Sequence, residues 1–234
     1  MPGYGPIDGS VVIQNITITV EKRQNVTRYV RKNEEVVEKN IVGAKELVLV
    51  PMYPVFTPKQ ITSYVLILFE KPLYIAPNEQ ITIYTLMPVE IAIYAYSSTN
   101  NYTLIDVFSV ERPKYTLYGP IDHGVIARYY RSRFWFTERE PNAGEALVKV
   151  IARNRSREWV SVNKILLDCN PLKLYYRKNT WHAYTQEIAL NIVTASSANI
   201  TYNKPFKEDV EPINDPPGLK QPIVYMRSDM LWGI

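Results

Sequence analysis

The segment 80–96, QITIYTLMPVEIAIYAY, decides the fold class of this chain. Apolar and polar residues alternate with a period of two through 80–86 and again through 89–96. A β-strand points successive side chains to opposite faces of a sheet, so this period predicts two half-buried strands. Most of these positions hold Tyr, Ile, Val or Thr, which pack well on a pleated surface.

The same alternation continues in both directions from this segment. It recurs at 12–20, 25–31, 46–50, 63–70, 102–110, 114–119, 124–131, 145–154, 157–167, 172–176, 184–193 and 198–203. Polar segments at 76–79 and 97–101 predict hairpin turns. The segment 33–40, NEEVVEKN, has two interpretations, a short helix or a charged turn between two strands.

About fourteen strands, spaced roughly 8–12 residues apart without alternating helices, predict an all-β protein. We expect β-sandwich architecture rather than a parallel sheet. Seven strands fall on each side of residue 112, so we predict an N-terminal sandwich unit at 1–112 and a C-terminal unit at 113–203. One large double-sheet domain is the alternative.

Residues 204–234 are predicted to form a proline-rich C-terminal tail. Prolines remove backbone donors and oppose regular strand pairing, and they occur here at positions 205, 212, 216, 217 and 222. The tail ends in the apolar sequence IVYMRSDMLWGI. We expect this end to dock on the chain itself, with docking on a partner as the alternative.

Composition excludes several classes of protein. Hydrophobic residues make up 46% of the chain and charged residues 21%, which is typical of a folded globule rather than a disordered one. The first ten residues lack the basic and apolar regions of a signal peptide. The single cysteine cannot form an internal disulfide and favours a reducing compartment. We therefore expect a cytoplasmic protein without a membrane span.

The sequence contains no recognisable catalytic, cofactor or metal motif. Glycine-rich phosphate loops are absent, and one cysteine with two separated histidines excludes the usual zinc patterns. A Cys169–His182 pair could support nucleophilic catalysis, but a structural thiol is the simpler interpretation. Glu138 and Glu140 could support glycoside hydrolysis, although their setting, TEREPNAG, is typical of a hairpin loop. No cofactor and no reaction are predicted.

The positive charge lies in the second half of the chain. Residues 113–204 contain 14 Lys and Arg against 7 Asp and Glu, whereas the whole chain has a net charge of +4. Within this region, the segment 114–136 interleaves cations with aromatic rings. The residues predicted to form an interaction surface are Asp122, His123, Arg128, Tyr130, Arg131, Arg133 and Trp135. Alternatively, these arginines pair with acids inside a tyrosine-rich core.

The block 114–132, KYTLYGPIDHGVIARYYRS, resembles an archaeal family known only as a domain of unknown function. Weaker similarity at 69–84, 88–94 and 105–110 extends the resemblance over about residues 60–200. The resemblance implies an archaeal source, in line with a composition like that of thermophile proteins. It implies no reaction, cofactor or catalytic residue.

Three functional hypotheses follow from these observations. The first is a non-catalytic module that binds another protein, because the chain has a strand-rich fold, an apolar tail end and no motif for chemistry. The second is binding of nucleic acid or another polyanion through the arginines and aromatic rings of 114–136. The third is carbohydrate binding by exposed rings such as Trp135, Trp159 or Trp181. The oligomeric state is left open.

Overall fold

The computed structural model describes residues 3–58, 61–98, 101–213 and 227–234. These residues form strands and turns and contain no helix, which confirms the all-β prediction. No helix capable of crossing a membrane is therefore present in this part of the chain. The first ten strands are β1 Gly5–Ile7, β2 Gly9–Ile13, β3 Ile16–Arg23, β4 Val26–Lys32, β5 Val36–Val42, β6 Glu46–Met52, β7 Tyr64–Ile75, β8 Gln80–Pro88, β9 Glu90–Ser98 and β10 Asn101–Ser109.

The remaining strands follow the same alternation and are separated by turns. They are β11 Tyr115–Tyr118, β12 Val125–Ser132, β13 Phe134–Trp135, β14 Glu145–Asn154, β15 Val160–Asp168, β16 Leu174–Tyr176, β17 Ala183–Thr194, β18 Ser197–Pro205, β19 Glu211–Pro212 and β20 Arg227–Met230.

These strands form four sheets that pack together. Sheet A has the order β1-β6-β9-β10, sheet B has β2-β3-β4-β5, and sheet C has β11-β12-β7-β15. Sheet D has the order β13-β8-β14-β17-β16-β19, with β18 on the second half of β17 and β20 on β18. Buried residues of all four sheets belong to one hydrophobic cluster, for example Ile93 of sheet A, Ile18 of B, Ile67 of C and Ile83 of D.

Strand pairing crosses the boundary predicted at residue 112. In sheet C, β7 from the first half pairs with β12 and β15 from the second half. In sheet D, β8 pairs with β13 and β14. The β7–β12 and β14–β17 pairs are parallel, so these two sheets are mixed rather than purely antiparallel.

Two local expectations differ from the structure. The alternating segment 12–20 is not one strand, because Gln14 adopts a positive φ of 52° and turns the chain between β2 and β3. The helix considered at 33–40 is wrong. Only Asn33–Glu35 form a turn, in which the Asn33 side chain accepts the backbone N–H of Glu35, and strand β5 follows.

The end of the C-terminal tail docks on this chain. Strand β20 pairs with β18, and Met230 and Ile234 are buried. Tyr118 donates its hydroxyl to the carbonyl of Gly233 at 2.8 Å. Pro205 and Pro212 lie at the last positions of β18 and β19, whereas the expected prolines at 216, 217 and 222 lie outside the described residues.

Candidate functional site

The seven residues of the predicted interaction surface do not form one surface. Asp122 and His123 occupy the exposed loop between β11 and β12, where the His123 ring contacts Asp122 at 2.7 Å. The His123 ring also lies 6.0 Å from the ring of Trp232. This end of β12 is therefore partly covered by the C-terminal segment.

Arg128, at the centre of β12, is buried in an ion pair that joins sheet C to sheet A. Its guanidinium donates to Glu90 of β9 at 2.9 Å, and the side chains are 3% and 0% exposed. It also donates to the Pro54 carbonyl and to the Ser109 hydroxyl, both at 3.3 Å. Arg128 thus follows the alternative interpretation, in which an arginine of 114–136 pairs with an acid in the core.

Glu90 accepts hydrogen bonds from two backbone groups in addition to Arg128. The N–H groups of Phe56 and Thr57 donate to its carboxylate at 3.1 and 3.0 Å. Burial raises the pKa of Glu90 to about 7, against the opposing effects of Arg128 and of these donors. The carboxyl therefore titrates in a neutral pH range while it holds three segments of the chain together.

Arg133 and Trp135 lie at the other end of β12, next to sheet D. Arg133 is exposed and donates to Glu70 at 2.8 Å. Trp135 is half-buried in β13, opposite Tyr84 of β8. Arg133 also lines a cavity of about 360 Å³ together with Glu70, Lys71 and Phe134, and the Arg133–Glu70 pair neutralises one cation of this cavity.

Two adjoining cavities lie around β12, and we call them together the β12 cleft. One cavity has a volume of about 390 Å³ and the other about 240 Å³. Both are lined by Pro88, Glu111, Arg128 and Tyr130, so they share a wall. Their size is within or close to the range of roughly 300–1,000 Å³ that is typical of small-molecule sites.

The smaller cavity is the basic end of the cleft. It is lined by the exposed side chains of Arg112, Lys114 and Arg131, with Tyr129 between them. The Tyr129 N–H donates to the Lys114 carbonyl at 2.8 Å, which sets these residues opposite each other. Arg131 lies two residues further along β12 and so shares a face with Tyr129. The strand geometry therefore directs three cations to one place.

The larger cavity is the polar end of the cleft. Tyr130 donates its hydroxyl to Glu145 Oε1 at 2.6 Å, and the backbone and side-chain nitrogens of Asn142 donate to Oε2 at 3.2 and 3.1 Å. Burial raises the pKa of Tyr130, and the hydrogen bond to Glu145 raises it further. Trp181 forms part of the wall. This end presents carboxylates, an amide and an aromatic ring.

The remaining candidates for chemistry lie elsewhere. Cys169 is buried, and burial raises the pKa of its thiol, which makes it a poor nucleophile. His182 contacts Glu140 at 3.7 Å and packs on Tyr184. Glu138 forms an ion pair with Lys207. These contacts give each of the proposed catalytic groups a structural explanation.

Trp159 is the most exposed of the three tryptophans considered for carbohydrate binding. It is 68% exposed, whereas Trp135 and Trp181 are half-buried. Tyr74 pairs with Ser161 across the β7–β15 ladder and is also exposed. The carbohydrate hypothesis would be excluded if all three rings were buried. Trp159 is exposed, so the hypothesis is not excluded.

The sequence identified three of the residues that line the cleft and missed others. Arg128, Tyr130 and Arg131 were in the predicted set, whereas Arg112 and Lys114 immediately precede β11 and were not. Glu111, next to Arg112, also lines the cleft, as do Glu145 and Trp181 from two further segments. The clustering of cations around 112–114 was a usable signal, but no spacing links Glu145 or Trp181 to β12.

Comparisons with known proteins identify a family but no function. The model of the family described as "Protein of unknown function (DUF432)" matches residues 3–230. No curated protein and no solved structure matches the chain. Among the residues that the structure describes, no group of three or more His, Cys, Asp and Glu could hold a metal ion. The archaeal source stays a prediction.

Proposed function

Because the chain belongs to the DUF432 family, a family of unknown function, we propose a function from the β12 cleft itself: the protein binds a phosphate-bearing ligand. Arg112, Lys114 and Arg131 contact the phosphate at the basic end of the cleft. Guanidinium and ammonium groups are the side chains that bind phosphate oxygens by charge-assisted hydrogen bonds.

One observation carries this proposal. Within the described part of the chain, Arg112, Lys114 and Arg131 form no ion pair with a carboxylate, although all three line one cavity. Two other exposed arginines, Arg133 and Arg28, are paired with Glu70 and Glu38. These three cations outnumber Glu111, the carboxylate that lines the same cavity, and a bound anion reduces their mutual repulsion.

The surroundings of the three cations favour an anion over a neutral ligand. The whole segment 113–204 has 14 basic against 7 acidic residues, so the field in this half of the chain is positive. Tyr129, half-buried between Lys114 and Arg131, offers a ring beside the charges. An aromatic ring that lies between two cations suits a ligand that carries both a phosphate and an organic group.

The test measures binding of a phosphate-bearing probe at low salt. We expect inorganic pyrophosphate and a 5′-phosphorylated oligonucleotide to bind, with affinity that falls as salt rises. Arg131→Ala should weaken binding by about tenfold, since a charge-assisted contact contributes roughly 1.5–3 kcal/mol. The matched control is Arg133→Ala, which changes net charge equally but lies outside the cleft.

The outcomes separate the site from a general charge effect. Equal weakening by Arg131→Ala and Arg133→Ala would mean that the probe responds to net charge only. No binding of either probe at low salt would reject the proposal. Circular dichroism of each variant checks that the fold is retained, which we expect because both side chains are exposed.

A second candidate function is binding of another protein at the edge of sheet C. Among the described residues, β11 pairs with β12 alone, so its other edge is open. Leu117 and Ile126 are direct cross-strand partners and both are exposed, and Ile121 in the adjoining loop is 96% exposed. An open edge beside apolar side chains can accept a strand from a partner.

Affinity capture from a host lysate treated with nuclease tests this second candidate. A stoichiometric protein retained by the wild-type chain should be lost with Leu117→Lys or Ile126→Lys. Val36→Lys is the control, because Val36 is also an exposed apolar residue but lies on the edge strand of sheet B. If all variants retain the same protein, the interface does not include β11.

A further inference from the structure

The polar end of the β12 cleft defines the ligand more closely. It adjoins the basic end through the shared wall of Pro88, Glu111, Arg128 and Tyr130. A ligand that places its phosphate at the basic end therefore extends directly into the polar end. The chemistry of that end then decides which organic group the phosphate carries.

The two ends of the cleft differ in charge. Glu145 lines only the polar end, whereas Arg112, Lys114 and Arg131 line only the basic end. Glu111 and Arg128 belong to the shared wall, and Arg128 is already paired with Glu90. A phosphate would be repelled from carboxylates there and is attracted to Arg112 and Arg131 instead. The ligand thus has only one favourable orientation, with its anionic group at the basic end and uncharged donors at the polar end.

Glu145 is held in place with hydrogen-bonding capacity to spare. Its Oε2 accepts both Asn142 donors, whereas Oε1 accepts the Tyr130 hydroxyl and no further donor from the described residues. A carboxylate oxygen has about two lone pairs, so Oε1 can accept one further hydrogen bond. The Tyr130 oxygen can also accept one hydrogen bond, because its own hydrogen is donated in the bond to Glu145 and its lone pairs stay available. These acceptors suit hydroxyl groups, which donate.

An aromatic ring completes the polar end. Trp181 lines the cavity and is fixed edge-to-face against Tyr4, with ring centroids 5.3 Å apart. Its remaining exposed surface faces a cavity of about 390 Å³. Carboxylate acceptors beside a fixed ring match a sugar, whose hydroxyls donate at its rim and whose C–H groups pack on the ring.

We propose that the ligand of the β12 cleft is a phosphorylated sugar, either free or as the sugar phosphate of a nucleotide. Arg112, Lys114 and Arg131 hold its phosphate, and Glu145 with Tyr130 binds its hydroxyl groups. This inference rests on the proposed function, because it assumes that the basic end binds phosphate. It adds the class of organic group and the residues that select it.

Calorimetric titration of the full chain with ribose 5-phosphate, inorganic phosphate and ribose tests this inference. We expect ribose 5-phosphate to bind about tenfold or more tightly than inorganic phosphate, since its hydroxyl groups add hydrogen bonds to the Glu145 carboxylate. Adenosine 5′-monophosphate, in a parallel titration, separates the two sources of the sugar. Tighter binding of the nucleotide would identify the nucleotide form, and equal binding would identify the free sugar phosphate.

Two variants assign the selectivity to the polar end. Glu145→Gln and Tyr130→Phe should lower the affinity for ribose 5-phosphate by about tenfold and leave that for inorganic phosphate within about twofold. Glu38→Gln is the matched control, because it removes one carboxylate from sheet B, outside the cleft. Thermal unfolding of each variant shows whether the fold is intact, and Tyr130→Phe serves if Glu145→Gln does not fold.

The outcomes distinguish failure of this inference from failure of the proposed function. Equal affinities for ribose 5-phosphate and inorganic phosphate, both lost with Arg131→Ala, would overturn the sugar inference and keep the phosphate site. Binding of the 5′-phosphorylated oligonucleotide alone would do the same and would indicate a nucleic-acid surface. Absence of binding by every phosphate probe would reject both proposals.

Discussion

Two buried arginine–carboxylate pairs join sheet A to its neighbours, and their surroundings differ. Arg128 of sheet C meets Glu90 with both side chains almost fully buried. Arg31 of sheet B meets Asp106 at 2.7 Å, with 8% and 10% of the side chains exposed. The Asp106 carboxylate also accepts the hydroxyl of Tyr29 at 2.8 Å. Glu90 instead accepts two backbone N–H groups.

The two ion pairs also connect different parts of the molecule. The Arg31–Asp106 pair attaches the meander of sheet B to the edge strand β10, and Lys39 donates to the Ile105 carbonyl nearby. The Arg128–Glu90 pair lies beneath the β12 cleft and fixes the strand from which Tyr130 and Arg131 project. Arg31 thus attaches one sheet to another, whereas Arg128 supports the strand that lines the cleft.

Removing the arginine from each pair gives the largest expected contrast. Arg128→Met leaves Glu90 buried without its counter-ion and should lower the free energy of unfolding by about 3–5 kcal/mol at pH 8. Arg31→Met should cost less, about 1–3 kcal/mol, because Asp106 keeps the Tyr29 donor and some contact with water. Urea denaturation followed by circular dichroism measures both. Equal losses would remove the distinction between the two pairs.

The pH dependence of stability sharpens the description of Glu90. Its pKa is about 7 in the folded chain and ordinarily 4.5, so the folded state binds more protons between these values. Stability from this group is present below pH 4.5 and is lost as pH rises through about 7. The loss is on the order of 3 kcal/mol. Glu90→Gln should flatten the slope in urea denaturation at pH 5, 6, 7 and 8, and an unchanged slope would contradict the assignment.

The smallest expected effect tests the tyrosine of the sheet B pair. Tyr29→Phe removes the hydroxyl that donates to Asp106 but keeps the ring and the Arg31 contact. The free energy of unfolding should fall by about 0.5–1.5 kcal/mol, the usual contribution of one hydrogen bond. The control is Tyr74→Phe on the exposed face of β7, for which we expect a change within about 0.5 kcal/mol. A comparable loss at both positions would show that the Asp106 bond adds nothing.

Much of the strand content could be predicted from the sequence because strands depend on a local period. The segment predicted at 145–154 coincides with β14, and that at 80–86 lies within β8. The hairpin at Gln14 was missed because apolar residues flank it on both sides and Gln-Asn is not the usual turn pair. Of the two interpretations of 33–40, the helix is wrong, because residues 33–35 form a turn and strand β5 then pairs with β4.

The candidate site was predictable only in part. Arg128, Tyr130 and Arg131 lie on one strand, so the sequence could group them. The sequence could not show that Arg128 is buried against Glu90 whereas Arg131 is exposed in the cleft. Both positions have the same mixture of aromatic and basic neighbours. Glu145 and Trp181 reach the cleft from distant segments, and their approach depends on how sheets A, C and D pack.

The all-β class, most strand positions and the absence of common catalytic motifs can be read from the amino-acid sequence, since period, turn residues and motifs are properties of neighbouring residues. The packing of the folded chain sets which strands pair, as in the parallel β7–β12 ladder, and which charges are buried. Pairing partners lie dozens of residues apart, and many registers preserve the same alternation. Burial of a charge depends on the groups that other sheets bring to it, so only the folded chain defines the cleft.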